Sequence, residues 1–142
     1  MGIDLKNWMQ NLPDGSDLLA LNLCGTHDCV TQHIRLPTFF CCQDLTVYEQ
    51  LLLGVRALDI RVRADGKCLT MVHGIFPAYN HSCHRANLMD MGDVLSQCYR
   101  FLDECPGEAV VFQFKMTTAK RTSSASTTCF IPISRAKSLI GT

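Results

Sequence analysis

The sequence predicts an α/β fold, the first half of a β/α barrel, and three observations carry that prediction. Short apolar runs that read as buried strands alternate with amphipathic stretches that read as helices. Polar residues able to do acid–base chemistry stand where those runs end, which is where such barrels build their sites. About four strands fit before the pattern fades, whereas a full barrel takes about 250 residues, so the barrel is expected to be incomplete.

Composition narrows the function classes. The chain has 142 residues, room for one domain, and 47% of them are apolar, enough for a core. Its 13 basic and 13 acidic side chains balance, so no nucleic-acid partner is expected. The start, Met1-Gly2-Ile3-Asp4-Leu5-Lys6, carries no signal peptide, and no apolar run is long enough to span a bilayer. The nine cysteines, an odd count, then read as reduced thiols packed as small hydrophobes. The expected place is cytoplasmic, or peripheral at a membrane.

The elements follow in order. Asp4–Gln10 predicts a short helix ended by Pro13-Asp14-Gly15. Leu18–Leu23 is a run apolar at every position but Asn22 and predicts a strand buried on both faces. Residues 29–42 read as a loop, and Gln43 or Asp44 caps a helix to about Leu53, with Leu45, Tyr48, Leu51 and Leu52 inward. Val55–Val62 and Cys68–Val72 predict two strands joined by an Asp65-Gly66 hairpin, too close for a helical crossover and therefore antiparallel. A three-residue loop there sets His73 opposite Asp59. Met89–Cys105 is an amphipathic helix with Val94, Leu95, Cys98, Phe101 and Leu102 buried, and Ala109–Phe114 is a fourth strand. Residues 1–116 are taken as the partial barrel domain. Residues 117–142 are polar and aperiodic at first and are expected to be a divergent tail, disordered or artefactual.

Four constellations lie at strand ends: Thr26-His27-Asp28, Asp59-Ile60-Arg61, His73-Gly74 and Lys115. Strand periodicity puts Asp59 and Arg61 on one face. Two histidines can exchange protons with an attacking hydroxyl and a leaving oxygen, and a guanidinium can hold phosphate oxygens through its planar fork. The aspartates can orient the imidazoles. The set suits a negatively charged ester. Singly, each residue has a plainer structural use: a hydrogen-bonding His, an ion pair, a turn glycine.

Together with their spacing, Trp8-Met9-Gln10, Leu12-Pro13-Asp14, Gly25-Thr26-His27-Asp28, Gln50-Leu51, Gly54-Val55-Arg56, Leu58-Asp59-Ile60-Arg61, His73-Gly74, Phe101-Leu102 and Pro106-Gly107-Glu108 resemble the X domain of phosphatidylinositol-specific phospholipase C, bacterial single-domain type, over residues 7–116. The resemblance implies a distorted, TIM-type β/α barrel. It implies cleavage of phosphatidylinositol to diacylglycerol and an inositol cyclic phosphate, with the inositol 2-hydroxyl as nucleophile. It implies His27 as general base, His73 as general acid, Asp28 supporting His73, Asp59 orienting, Arg61 stabilising the phosphate and Lys115 contacting the inositol. Calcium-dependent relatives carry Asn and Glu where this chain has Asp28 and Ala57, so no metal and no cofactor is expected.

Three departures accompany the resemblance. Leu23-Cys24-Gly25 replaces Ile-Pro-Gly, Cys29 replaces Ser, and Met116-Thr117 replaces a basic residue and Glu. Beyond them the family's later strands, which supply an Asp for the first His, have no counterpart, and His27 is expected to lack an orienting partner from the far side of the barrel. The alternative expectation is therefore an inactive, truncated fragment or pseudoenzyme that binds inositol phospholipid, or a half-barrel that dimerises. A metal-dependent glycerophosphodiester phosphodiesterase would want acids where Arg61 and Ala57 stand. A zinc module on His81, Cys83 and His84, with Cys41-Cys42, lacks the usual paired Cys spacing. Phe39, Phe40, Ile75, Phe76 and Tyr79 either dip into a membrane surface during transient contact or pack on neighbouring helices.

Overall fold

The computed structural model describes residues 2, 4–81, 87–117 and 129–134. Strands β1 (Gly25–Thr26), β2 (Ala57–Asp65), β3 (Cys68–His73), β4 (Phe76–Pro77), β5 (Ala109–Met116) and β6 (Cys129–Ser134) form one mixed sheet, accompanied by helices α1 (Pro37–Phe40), α2 (Val47–Leu52) and α3 (Met91–Glu104). The sheet runs β4-β3-β2-β5-β6, with β1 pairing β2 outside that path, and it is open among the described residues. The parallel β1–β2–β5 pairs are the β/α part, and β2–β3 is the expected antiparallel hairpin.

Alternation along the central strands sorts the two faces. Leu58, Ile60 and Val62 of β2 and Val110 and Phe112 of β5 point to the helices, where they meet Val47 and Leu51 of α2 and Val94, Cys98, Phe101 and Leu102 of α3. The opposite face carries Asp59, Arg61, Gln113 and Lys115. Its lower end is covered by a second, smaller cluster in which Met9 and Leu18 pack on Ala109 and Val111, with Trp8, Leu12, Leu21 and Leu23 around them. Chemistry-bearing residues thus keep only the upper end of that face.

Several expectations are corrected. Leu18–Leu23 is not a strand; Leu18–Ala20 is a 3-10 turn, and the parallel strand is the two residues of β1. Leucine and alanine favour helical dihedrals, and the run has no β-branched residue to hold it extended. The N-terminal helix is instead two 3-10 turns, Leu5–Asn7 and Met9–Asn11. Helix α2 is capped by Thr46 in a capping box with Glu49, not by Gln43 or Asp44, and its buried residues are Val47, Gln50 and Leu51. Within 117–142, the segment Cys129–Ser134 forms β6, antiparallel to β5, and Ile133 packs against the core.

Beneath the strand N-termini lies a buried ion pair. Arg56, just before β2, and Glu108, just before β5, are both 0% exposed, and Arg56 Nη2 stands 2.6 Å from Glu108 Oε2. The guanidinium also donates to the carbonyls of Leu51, Val55 and Lys6. Glu108 Oε1 accepts from the Met9 backbone N–H. Phe101 lies under the guanidinium at 4.6 Å, and Trp8 is 5.9 Å away. Charges this deep are tolerated only because every lobe of the fork is paired. Removing one partner strands the other: Glu108→Ala is expected to lower unfolding stability by about 3–5 kcal/mol in urea titration, with Arg56→Met/Glu108→Leu recovering part of the loss. A double variant no better than Glu108→Ala would show that geometry, not charge burial, sets the loss.

Candidate active site

The site is built at one turn and completed by β2 and β3. Gly25 enters because a Cβ there would lie 3.2 Å from both Cβ and O of Ala57, so β1 can approach β2 only without a side chain. The chain then turns through Asp28, whose φ of 45° is left-handed. Gln50 of α2 brackets this turn: its Oε1 accepts from Thr26 Oγ1 at 2.7 Å, and its Nε2 donates to the carbonyls of Cys29 and Leu45, each at 2.8 Å. A buried glutamine with all of its groups paired is a rigid clamp.

Five of the six residues singled out in the sequence converge. His27 Nδ1 lies 2.9 Å from Asp59 Oδ2, and its Nε2 3.3 Å from Asp28 Oδ2. His73 Nε2 lies 3.5 Å from that same Asp28 oxygen. Arg61 reaches the other carboxylate oxygen, Asp28 Oδ1, with Nε at 2.9 Å, and Asp59 Oδ2 with Nη2 at 3.1 Å. Its Nη2 is also 3.3 Å from both ring nitrogens of His27. The sixth, Lys115, is the register partner of Arg61 on β5 and so stands beside the cluster on the same face.

Hydrogen-bond partners assign the imidazole roles. His73 Nδ1 is 2.9 Å from the Phe40 carbonyl, which can only accept, so Nδ1 carries the hydrogen and Nε2 faces the site. Asp59 Oδ2, 2.9 Å from His27 Nδ1, forms an ion-pair contact on that side of the ring and leaves Nε2 facing Asp28. The contact comes from β2, on the same side of the barrel as the rest of the cluster.

The predicted register is also corrected. Asp65 pairs with Cys68, so the turn is the two residues Gly66-Lys67 and continued pairing would set His73 opposite Ile60, not Asp59. The ladder with β2 stops at Met71, where the chain leaves to pair with β4, and Met71 and Val72 are both fully buried. That break in alternation brings the His73 ring to Asp28 despite the slip.

Asp28 is the electrostatic centre. It is 1% exposed, and neither carboxylate oxygen accepts an aligned hydrogen bond among the described residues. Burial pushes its carboxyl above the ordinary value; the charges of Arg61 and His73 oppose that rise without cancelling it. His27, in contrast, is 61% exposed at the mouth. A cavity of about 240 Å³ opens beside it, lined by Gly25, Thr26, Ala57, Asp59, Val111 and Gln113 among others.

Some functional groups escape sequence reasoning. Gln50 was noticed only within a family motif, since an isolated glutamine on a helix reads as solvent-facing. The Phe40 carbonyl has no side-chain signature. Cys42, whose Sγ lies 3.9 Å from His73 Nδ1, is invisible without the fold. His27, Asp28 and Cys42 have ligand atoms within 4.8 Å of one another, the spacing of a metal-holding group. For the zinc module, Cys83 and His84 lie outside the described residues. Of the loop aromatics, Phe40 stacks on Phe76 with centroids 4.4 Å apart and Tyr79 is buried, while Phe39 and Ile75 are 78% and 77% exposed. No described helix is long and apolar enough to cross a membrane.

Comparison with known proteins places this geometry. No family model matches the chain. The chain is 29% identical over 119 residues to a 1-phosphatidylinositol phosphodiesterase of Listeria monocytogenes, covering 80% of this chain and 33% of that protein. It is 29% identical over 113 residues to one of Staphylococcus aureus, covering 78% and 34%. Among solved structures, the Staphylococcus aureus phosphatidylinositol-specific phospholipase C superposes with a TM-score of 0.68 at 27% identity, over 84% of this chain and 39% of that one. The Listeria monocytogenes enzyme gives 0.66 at 27%, over 84% and 41%. The chain spans about a third of the length of the curated relatives it matches, and over that span it is similar to the bacterial phosphatidylinositol-specific phospholipases C.

Proposed function

We propose that the chain carries the acid–base centre of a phosphodiesterase that cleaves phosphatidylinositol to diacylglycerol and an inositol cyclic phosphate. The observation that carries this is the shared Asp28 carboxylate, with the Nε2 atoms of both His27 and His73 at one oxygen and Arg61 at the other. Two imidazoles so placed reach one phosphate ester from different sides.

In the proposed reaction His27 Nε2 takes the proton of the inositol 2-hydroxyl as its oxygen attacks phosphorus. Asp59 holds the resulting imidazolium through Nδ1–H. His73, protonated on both nitrogens, gives its Nε2 proton to the departing diacylglycerol oxygen, and Asp28 stabilises its charged form beforehand. Arg61 faces the negative charge that builds on the phosphoryl oxygens and does electrostatically what a calcium ion does elsewhere. Lys115 supplies a second positive charge for the headgroup. The cavity is smaller than a drug-sized pocket of about 300–1,000 Å³, a headgroup site rather than one for a whole lipid. Phe39 and Ile75, protruding near His73, are the side chains proposed to touch the bilayer.

A second reading, an inositol-phospholipid-binding module without turnover, draws on the exposure of His27, since catalysis gains from excluding water. Turnover on phosphatidylinositol vesicles separates the two. His27→Ala and His73→Ala are each expected to lower turnover by about 10²–10⁴-fold while leaving vesicle binding within a few-fold. Wild-type binding without any turnover above that of a His27→Ala/His73→Ala double variant would establish the second reading.

Turnover is expected to persist in chelator; loss of activity that calcium restores would sink the role given to Arg61. The raised Asp28 carboxyl predicts a pH effect of defined sign. The folded chain takes up this proton at higher pH than the unfolded chain, so the ionised form opposes folding above that value and ceases to do so as pH falls through it. Asp28→Asn is therefore expected to unfold no more easily than wild type at pH 7, with its relative advantage shrinking on acidification. Its turnover is expected to fall by about 10²-fold. Urea midpoints across pH 4–7 check the first part and vesicle assays the second.

A further inference from the structure

We propose that His27, Asp28 and Cys42 form a binding site for a thiophilic divalent ion such as zinc, and that its occupation switches the acid–base centre off. The inference rests on the function proposed above for its regulatory meaning, but not for the binding itself.

Three ligand types gather here on two loops. One nitrogen of His27, one oxygen of Asp28 and the Cys42 sulfur lie within 4.8 Å of one another, close enough for one ion to draw them to bonding distance. Cys42 is held in place from behind, its backbone N–H donating to Thr31 Oγ1 at 2.8 Å. Thr31 Oγ1 donates in turn to the Asp28 carbonyl at 3.0 Å, tying the two loops together. Asp28 is 1% exposed; Arg61 Nε stands 2.9 Å from its Oδ1, and the two imidazoles stand 3.3 and 3.5 Å from its Oδ2 without an aligned hydrogen bond.

Ligand chemistry decides the class of ion, because the charges of Asp28 and Asp59 are matched by Arg61 and its register partner Lys115, and Cys42 becomes a thiolate only on giving its proton up to the ion. Arg61 Nε sits on Oδ1 of Asp28 at 2.9 Å, while the imidazoles face Oδ2 at the longer distances of 3.3 and 3.5 Å, so Oδ2 is the oxygen that an ion would take by displacing those contacts. Calcium and magnesium need six or more hard oxygens, which these residues do not provide. Imidazole, carboxylate and thiolate instead suit zinc in a three-ligand site with a fourth position open. On binding, the Cys42 S–H bond gives up its proton to solvent and a sulfur–metal bond forms, with no change of oxidation state. The His27 nitrogen then holds the ion rather than a substrate proton, and Asp28 no longer supports His73.

The test uses the full chain with zinc(II), and cobalt(II) as a spectroscopic probe. Calorimetry is expected to show one zinc ion per chain, and cobalt to give a sulfur-to-metal charge-transfer band. Cys42→Ser is expected to abolish the band and weaken zinc binding by about 10–100-fold or more, while Cys41→Ser changes neither. In vesicle assays zinc is expected to inhibit wild type reversibly, and the zinc concentration that halves each protein's own zinc-free activity is expected to be correspondingly higher for Cys42→Ser. Zinc binding equally tight in wild type and Cys42→Ser, or a cobalt complex without a thiolate band, overturns the site. Absence of wild-type turnover would instead overturn the catalytic reading and leave the binding result standing.

Discussion

The buried Arg56–Glu108 pair is the constraint on which the rest of this fold depends. It joins three segments distant in sequence: the N-terminal turns through Lys6 and Met9, the stretch from the end of α2 at Leu51 to the entry of β2, and the entry to β5. A guanidinium fork without a carboxylate partner could not stay at zero exposure. The pair therefore fixes where β2 and β5 begin relative to each other, and so which residues reach their upper ends. Asp59 beside Gln113 and Arg61 beside Lys115 follow from that starting point by register alone.

This division of labour explains which parts of the sequence spoke clearly. Trp8-Met9-Gln10, Gly54-Val55-Arg56, Phe101-Leu102 and Pro106-Gly107-Glu108 looked like scattered matches to a family, yet in space they surround the one ion pair. Their spacing was legible because a buried charge tolerates few substitutes. The candidate site residues were legible for another reason: charged or titratable side chains at the end of an apolar run have little structural business there. The long helix α3 was legible from its stripe and its length.

What stayed hidden was set by non-local geometry. The Leu18–Leu23 run is apolar because it fills the lower inner face over Ala109 and Val111, and apolarity alone does not say whether a segment is extended. The His73 register depended on whether the hairpin turn had two residues or three, a choice that a Gly at φ 64° in position 66 settles only once the ladder is seen. Gln50 and the Phe40 carbonyl act through hydrogen bonds to backbone or ring atoms that no pattern of residue types records. Strand β6 covers the short apolar patch Cys129–Ile133, whose Phe and Ile residues favour strands, but a patch so short names no pairing partner.

The pairing of β6 with β5 carries a topological consequence. In a barrel of repeated β/α units the flank of β5 away from β2 would receive the next parallel strand. Here six residues of β6 already hydrogen-bond along it in the opposite sense, Ala109 to Ser134 at one end and Phe114 to Cys129 at the other. The sixfold ladder includes Pro132, whose missing amide hydrogen suits an outermost position. Continuation of the winding would therefore require eviction before addition: the terminal hairpin partner must peel off before any further unit could dock and raise a second wall over His27.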